Sequence, residues 1–199
     1  MDNERVGTWT DSEDASVYGG NLLRGDTVRL RRLREDDLSQ LDEWWADPQW
    51  SGLQQLLVRP RPDGATADMF RKWSVNTSPG DVGFSICDLL SDELIGHGTL
   101  LGAQLPIRAA SLALMLAPGH IGRGYGTDAV KTLVRYGFLE MGLNRIELRV
   151  WGYNSRARRA YAKAGFREEG IRREVAFHDG TYHDEVIMSV LRSEWEASR

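Results

Sequence analysis

The sequence predicts a single domain of the α/β (α+β) class, built from about seven strands and about four helices. The first observation behind this prediction is the spacing of apolar residues, which changes repeatedly along the chain. Some segments have a period of two residues, typical of strands, and others have a period of 3.6 residues, typical of helices. The second is size, since 199 residues with 41% hydrophobic content suffice for one core and not for two ordinary domains. The predicted order is β, α, α, β, β, β, α, β, α, β, β.

Residues 1–21 are polar, rich in Asp, Glu, Ser and Gly, and have no apolar periodicity. A segment of this composition has too little apolar surface to offset the loss of conformational entropy on folding. We therefore expect a flexible leader over residues 1–21 and one folded domain over residues 22–199.

One strand and two helices are expected in the first third of the domain. Residues 27–31 alternate with period two, which predicts a strand. The carboxylates of residues 35–37 precede a helical apolar pattern that begins at Leu38, and acidic residues favour a helix N-terminus. After several prolines and glycines, residues 65–73 form a second helical pattern.

The rest of the chain predicts an antiparallel meander, a helix–strand–helix unit and a long hairpin. The corresponding strands and helices are expected at residues 82–90, 93–101, 111–116, 124–142, 145–150, 154–164, 166–175 and 183–191. The Asp179-Gly180 pair between the last two strands favours a tight hairpin turn, because both positions of such a turn require a positive φ.

Composition excludes several classes of protein. A net charge of −4 and a pI near 5.6 argue against nucleic-acid binding, which depends on neutralising phosphates with Lys and Arg. The single cysteine, Cys87, excludes an intramolecular disulfide, and its apolar neighbours predict a packed thiol. No signal-peptide pattern and no run of ~20 apolar residues is present, so we expect a cytoplasmic protein without a membrane span.

A glycine-rich turn carries the strongest functional signal. Three glycines at alternate positions separate a strand from a long helix, at Gly122, Gly124 and Gly126. Such glycines let the backbone approach a ligand, and the free N–H groups of the first helical turn favour an anion. The turn lacks a P-loop lysine, and Asp128 stands where the dinucleotide fingerprint has its third glycine. The spacing predicts a pyrophosphate site, with a purely structural turn as the alternative.

A second element follows about thirty residues later. Asn154 and Tyr161 are seven residues apart, which places both on one side of the predicted helix. Taken alone, Asn154 could be an N-cap and Tyr161 a core aromatic residue. Their combination with the glycine turn favours a shared binding site.

These two segments resemble the acyl-CoA-binding core of the GCN5-related N-acetyltransferase (GNAT) superfamily. The resemblance extends from about residue 27 to residue 195, and the segments 180–184 and 191–195 are similar to the ribosomal-protein N-terminal (Rim-type) branch. The resemblance implies the GNAT fold, a mixed and mostly antiparallel central sheet of about seven strands flanked by about four helices. It also implies acetyl-CoA or another acyl-CoA as co-substrate, an amine as acceptor, and no metal.

The resemblance assigns a role to each site residue. The Leu116 backbone would bind pantetheine, and the Leu114 N–H would polarise the thioester carbonyl. Asn154 would bond the pantetheine arm, and Tyr161 would protonate the departing thiolate. The pyrophosphate would lie on backbone N–H groups of the turn, from Gly122, Arg123, Gly124, Tyr125, Gly126 and Thr127.

Two positions depart from the family pattern. Ile121 stands where many relatives have Gln or Arg, so one phosphate contact is lost. Ser111 or Ala110 stands where relatives often carry a catalytic Glu, so no general base is evident. The remaining candidates for a base are His120, Glu174, His183 and Asp184.

The missing base slightly favours an α-amine acceptor, whose pKa is ~8, over an alkylamine near ~10, or else a base that is reached through water. The acceptor is therefore expected to be a primary amine, with the N-terminal α-amine of a protein or peptide as the slightly favoured form. The alternatives are a small amine such as a polyamine or an aminoglycoside, an acyl-CoA sensor without turnover, and a nucleotide-binding regulatory module. Trp44, Trp45, Trp50 and Trp73 are expected mainly in the core, or else at a substrate cleft or a homodimer contact.

Overall fold

Seven strands form one mixed sheet in the computed structural model, which describes residues 9–199. The part of the predicted leader before residue 9 lies outside the described residues. The spatial order is β1-β2-β3-β4-β5-β7-β6, and every neighbouring pair is antiparallel except β4–β5. The predicted fold class is confirmed. The strands are β1 Val28–Arg31, β2 Val82–Asp88, β3 Leu94–Leu101, β4 Ala109–Leu116, β5 Arg145–Trp151, β6 Arg167–His178 and β7 Thr181–Leu191.

Helices cover both faces of the sheet. They are α1 Ser12–Leu22, α2 Leu38–Ala46, α3 Pro48–Ser51, α4 Ala67–Trp73, α5 Tyr125–Leu139, α6 Ser155–Lys163 and α7 Arg192–Ala197. Single turns of 3-10 helix lie at Glu35–Asp37 and Pro118–His120. The four predicted helices correspond to α2, α4, α5 and α6. Helices α3 and α7 were not predicted, because four and six residues are too few for a helical period to emerge.

Helix α1 departs from the flexible leader that the sequence predicts. Asp11 caps it by accepting hydrogen bonds from the N–H groups of Glu13 and Asp14, and none of its residues is buried. Arg135 of α5 fastens its C-terminal end by donating to the carbonyl oxygens of Asn21 and Leu22. Because capping and polar contacts hold this helix, it needs no apolar stripe, and its sequence shows none. The domain boundary near residue 22 stays a prediction.

The two faces of the sheet have separate apolar clusters. On one face α5 buries Ala129, Val130, Leu133, Val134 and Phe138 against the even-numbered side chains of β2, β4 and β5. On the other face α2 and α4 pack through Leu38, Leu41 and Phe70 against Met115 of β4. Cys87 is fully buried, as predicted for a packed thiol.

Strands β4 and β5 pair over only part of their length. Their parallel register joins residues 109–111 to residues 145–147 and then ends. Beyond this point β4 continues to pair with β3, and β5 continues to pair with β7. The two strands therefore diverge and leave an opening at the centre of the sheet, next to the N-terminus of α5.

The α-helices of residues 9–199 are between 4 and 15 residues long. None of them combines the length and the apolar character required to cross a bilayer.

Candidate functional site

The opening between β4 and β5 leads into a cleft of about 660 Å³. Strands β3, β4, β5 and β7 form its floor, the start of α5 and the side of α6 form one wall, and residues of α2–α4 form the other. Most of the site residues predicted from the sequence line this cleft: Leu114, Leu116, Gly122, Gly124, Gly126, Thr127, Asn154 and Tyr161. The side chains of Arg123 and Tyr125 do not.

The turn before α5 presents a row of unpaired backbone donors. Within residues 9–199, none of the N–H groups from Gly122 through Thr127 donates a hydrogen bond to a protein acceptor. The first bonded N–H is that of Asp128, which donates to the Gly124 carbonyl at 3.2 Å. Gly122 and Gly124 have φ of 83° and 91°, values that favour glycine. A helix N-terminus with free donors is a site for an anion such as a pyrophosphate.

Arg123 and Tyr125 offer only their backbone N–H groups to a ligand at this turn. The Tyr125 hydroxyl donates to Asp88 Oδ2 at 2.5 Å, and neither of these residues lines the cleft. The Arg123 guanidinium lies over the Tyr125 ring, 5.5 Å from its centroid. Both side chains therefore brace the outside of the turn.

The backbone of β4 also offers free donors to the opening. The Ala117 N–H donates to the Ile95 carbonyl of β3 at 2.8 Å. Successive N–H groups of a strand point to opposite edges, so those of Leu116 and Leu114 point away from β3. They face the edge where β5 has diverged, which leaves them available to an extended ligand.

Asn154 and Tyr161 lie on the cleft side of α6. The Asn154 side chain caps the helix, because its Oδ1 accepts from the Ala157 N–H at 3.1 Å. The amide Nδ2 of Asn154 and the hydroxyl of Tyr161 have no protein partner within residues 9–199. Burial raises the pKa of Tyr161 to about 12, because desolvation disfavours the phenolate. The phenol is therefore a proton donor at neutral pH.

Three cations of α6 line the cleft as well, at Arg156, Arg159 and Lys163. Arg156 lies over the Trp50 ring, 5.9 Å from its centroid, and so joins α6 to the opposite wall. None of the three forms an ion pair with a described residue. They make this end of the cleft positive, which suits a phosphate-bearing ligand.

Aromatic side chains form the other end. Trp45, Trp50 and Trp73 line the cleft together with Phe70, and the rings of Trp45 and Trp73 are 5.7 Å apart. Trp44 does not line it. The expectation of core packing is thus correct in part, since Trp44, Trp45 and Trp73 are half-buried against the α2–α4 cluster.

The residues considered as general bases lie outside the cleft. His120 lies 3.8 Å from Glu93, and His183 packs on the Tyr153 ring at 5.0 Å. Asp184 accepts from the Glu174 N–H at 2.9 Å, on the opposite face of β7. His120, Glu174, His183 and Asp184 therefore cannot reach a ligand in the opening directly.

Two residues of the cleft that could accept a proton were not predicted from the sequence, His97 of β3 and Glu185 of β7. Alternation along β7 could have identified Glu185, because Val186 and Met188 face the α5 core and Glu185 faces the other side. No comparable signal marks His97, which lies between glycines. Within residues 9–199, no cluster of His, Cys, Asp and Glu could hold a metal ion.

Comparison with known proteins yields one consistent family. A model of the acetyltransferase (GNAT) domain matches residues 27–167. The chain is 27% identical over 175 residues to the uncharacterized N-acetyltransferase p20 of Bacillus licheniformis, covering 87% of this chain and 97% of that protein. It is 34% identical over 176 residues to YdaF of Bacillus subtilis, whose name proposes a ribosomal N-acetyltransferase, covering 86% and 95%.

A solved structure shares the fold. Spermidine N-acetyltransferase from Vibrio cholerae, in complex with CoA and spermine, matches with a TM-score of 0.75 and 24% identity. The match covers 85% of this chain and 98% of that one.

Proposed function

Because the chain belongs to the acetyltransferase (GNAT) domain family and is an acyl-CoA-dependent N-acetyltransferase, we propose that its acceptor is the α-amine of a peptide or protein. Acetyl-CoA is the co-substrate, and another short acyl-CoA would use the same site. The observation that carries the proposal is the charge of the cleft. Among its described lining residues, Glu185 is the one carboxylate.

A polyamine acceptor fits this charge poorly. Spermidine-like molecules carry several positive charges, and each needs an acceptor or solvent when it enters a cleft. Arg149 of β5, a lining cation apart from those assigned to the phosphates, would repel them, and Glu185 alone could compensate one charge. A peptide N-terminus brings a single ammonium group, which matches a single carboxylate.

The remaining wall favours a peptide over a small polar amine. Trp50, Leu53 and Leu56 extend the aromatic end of the cleft toward solvent, and Leu56 is 57% exposed. An apolar rim of this kind can cover the first side chains of a peptide, whereas an aminoglycoside would bury hydroxyl and ammonium groups against it.

The roles that the family resemblance implies are retained in this proposal. The turn from Gly122 through Thr127 binds the pyrophosphate through its N–H groups, and the Leu116 N–H and Asn154 Nδ2 bind the pantetheine arm. The Leu114 N–H donates to the thioester carbonyl oxygen, where negative charge develops as the amine attacks. The α6 cations Arg156, Arg159 and Lys163 attract the phosphates.

Tyr161 donates its proton to the thiolate as the carbon–sulfur bond breaks. A phenol with a pKa of about 12 is a weak donor toward a thiolate of pKa ~8.5, so complete transfer is uphill in isolation. The transfer becomes favourable when the Tyr161 oxygen takes up the proton that the attacking nitrogen loses, because no phenolate is then left behind. The Rim-type branch, the cytoplasmic location and a homodimer remain predictions.

The test is an acceptor panel with acetyl-CoA and release of free thiol as the readout. The panel contains a peptide with a free N-terminus, the same peptide with a blocked N-terminus and an internal lysine, spermidine, and an aminoglycoside. We expect kcat/KM for the free N-terminus to exceed the others by at least about tenfold, the effect of ~1.4 kcal/mol in transition-state binding. A preference for spermidine or for the blocked lysine peptide would overturn the proposed acceptor class.

A further inference from the structure

Glu185 is a buried carboxylate at the floor of the cleft. It pairs with Trp151 across β5 and β7, at the level where β5 has already left β4. Its side chain is only 8% exposed, and what is exposed faces the cleft. A carboxylate this deeply buried requires compensation by donors or cations.

The compensation within the protein is incomplete. Arg172 of β6 donates to Oε2 at 2.6 Å from its Nη1, and its side chain is 45% exposed. Oε1 has no donor partner within residues 9–199. Arg172 thus fixes the orientation of the carboxylate and leaves one oxygen for a ligand with a positive charge or an N–H donor.

We propose that Glu185 binds the ammonium group of the acceptor through Oε1 and removes the proton that the amine must lose before it attacks the thioester. This assignment rests on the proposed function of the cleft and names a general base that was not identified from the sequence.

Glu185 takes one proton from R–NH3⁺, and the freed lone pair forms the C–N bond while the C–S bond breaks. The second proton leaves the nitrogen toward Tyr161, which passes its own proton to the thiolate. The products are the N-acetyl amide and the CoA thiol, and Glu185 releases one proton to solvent. The step needs no oxidant or metal.

Other charged groups at this face do not fit the role. Arg172 of β6 and Arg149 of β5 are cations that cannot accept a proton near neutral pH. His97 of β3 is 3% exposed, and its Nε2 is 2.8 Å from the Ser74 hydroxyl. Burial lowers the pKa of His97 to about 4, so protonation of this ring by an acceptor ammonium group is disfavoured.

The first experiment measures kcat/KM of the wild type from pH 6 to 9 with the free-N-terminus peptide. With a carboxylate that deprotonates the bound ammonium, kcat/KM stays nearly flat from about pH 6 to 7.5. Without one, kcat/KM follows the neutral amine and rises about tenfold per pH unit below the amine pKa of ~8. A wild-type profile that rises in this way overturns the proposal, and this test needs no variant to fold.

The second experiment compares Glu185→Gln with the matched control Glu169→Gln. Glu169 is a strand carboxylate paired with Arg145 that does not line the cleft. Glu185→Gln should lose about 100-fold in kcat/KM at pH 6, because only ~1% of the amine is neutral at that pH. Above pH 8, where about half or more of the amine is neutral, the loss should be less than about tenfold. Glu169→Gln should keep the wild-type pH profile.

Calorimetry with acetyl-CoA separates this inference from the proposed function. Glu185→Gln should bind acetyl-CoA like the wild type, because Glu185 lies on the acceptor side. A Glu185→Gln profile as flat as that of the wild type overturns the role, as does a pH effect carried by His97→Asn. If the wild type rejects the peptide and acetylates another amine, the acceptor class is wrong, and the pH comparison is then run with that amine.

Discussion

Asp128 of α5 accepts a hydrogen bond from the backbone N–H of Val28, the first residue of β1, at 2.9 Å. The same carboxylate accepts from the N–H groups of Asp26 and Thr27 at 3.1 and 2.7 Å. Asp128 occupies the position at which a dinucleotide-binding turn has its third glycine. Asp128, which excludes a dinucleotide-binding turn, therefore has a structural role, because it joins the glycine turn to the edge strand β1.

We predict that Asp128→Ala lowers the free energy of unfolding by about 1–2 kcal/mol, because three backbone donors lose a charged acceptor at a partly exposed site. Asp128→Asn keeps one acceptor oxygen and should lose less. Denaturant unfolding measures the difference, with Lys131→Ala on the same helix as the control. Equal stability of Asp128→Ala and the control would contradict the prediction.

Gly124→Glu should abolish binding of acetyl-CoA. The substitution places a side chain at φ 91°, and its carboxylate enters the row of N–H groups that we assign to the pyrophosphate. Calorimetry with acetyl-CoA, CoA and ATP measures the effect. Gly119→Glu is the matched control, because Gly119 lies in the preceding turn, has open space around it and does not line the cleft. Tight binding by Gly124→Glu would show that the ligand lies elsewhere.

The sequence predicts the scaffold of this site well because scaffold signals are local. Glycines at positive φ, such as Gly122 and Gly124, and an N-cap such as Asn154 are imposed by backbone geometry within a few residues. Strand alternation and helical periodicity follow the burial of one face, so the order of the main elements is predicted. Helix α1 lacks this signal, because polar contacts hold it on the surface.

The acceptor side could not be predicted in the same way, because its residues meet only through the tertiary fold. Glu185 and His97 belong to strands that are far apart in the sequence, and both reach the cleft because β4 and β5 diverge. No feature of the sequence near Ser111 or Glu147 predicts where the pairing of β4 with β5 ends. Alternation along β7 separates Asp184 from Glu185, but it does not show that the face of Glu185 opens into the cleft.

Tyr161→Phe should lower kcat by about 100-fold and leave acetyl-CoA binding nearly unchanged, because the hydroxyl acts on the departing thiolate. Since its pKa is raised to about 12, the phenol stays protonated, so wild-type activity should not decline through its ionisation until well above pH 10. Steady-state kinetics of Tyr161→Phe measure the loss. Tyr136→Phe, a half-buried tyrosine outside the cleft, is the control.

A basic limb below pH 10 that is present in the wild type and absent in Tyr161→Phe would contradict this assignment. So would a Tyr161→Phe variant with unchanged kcat under conditions where the chemical step limits the rate.

His97 should make the folded state less stable as the pH falls from 6.5 to 4. Its folded pKa of about 4 lies below the ordinary value of 6.5, so the unfolded chain binds the proton first, and stability declines through this window. A shift of this size corresponds to a loss on the order of 3 kcal/mol at pH 4 relative to neutral pH. Above pH 6.5 both states are neutral at this residue, and it contributes no pH dependence.

Unfolding of His97→Asn in denaturant at pH 7, 6, 5 and 4 separates the contribution of His97 to the pH dependence of stability from the contribution of the carboxylates. The lowered pKa of Asp37, set by Arg31, the Arg34 N–H and Ser85 against the opposing effect of burial, affects stability only below about pH 4. The slope between pH 6.5 and 4 should therefore flatten in His97→Asn and persist in His183→Asn, a histidine that packs at the surface on Tyr153. An equal slope in His97→Asn and the wild type would mean that the buried ring admits a proton at little cost. In that case His97 would carry charge near neutral pH and compete with Arg172 and the acceptor ammonium for Glu185.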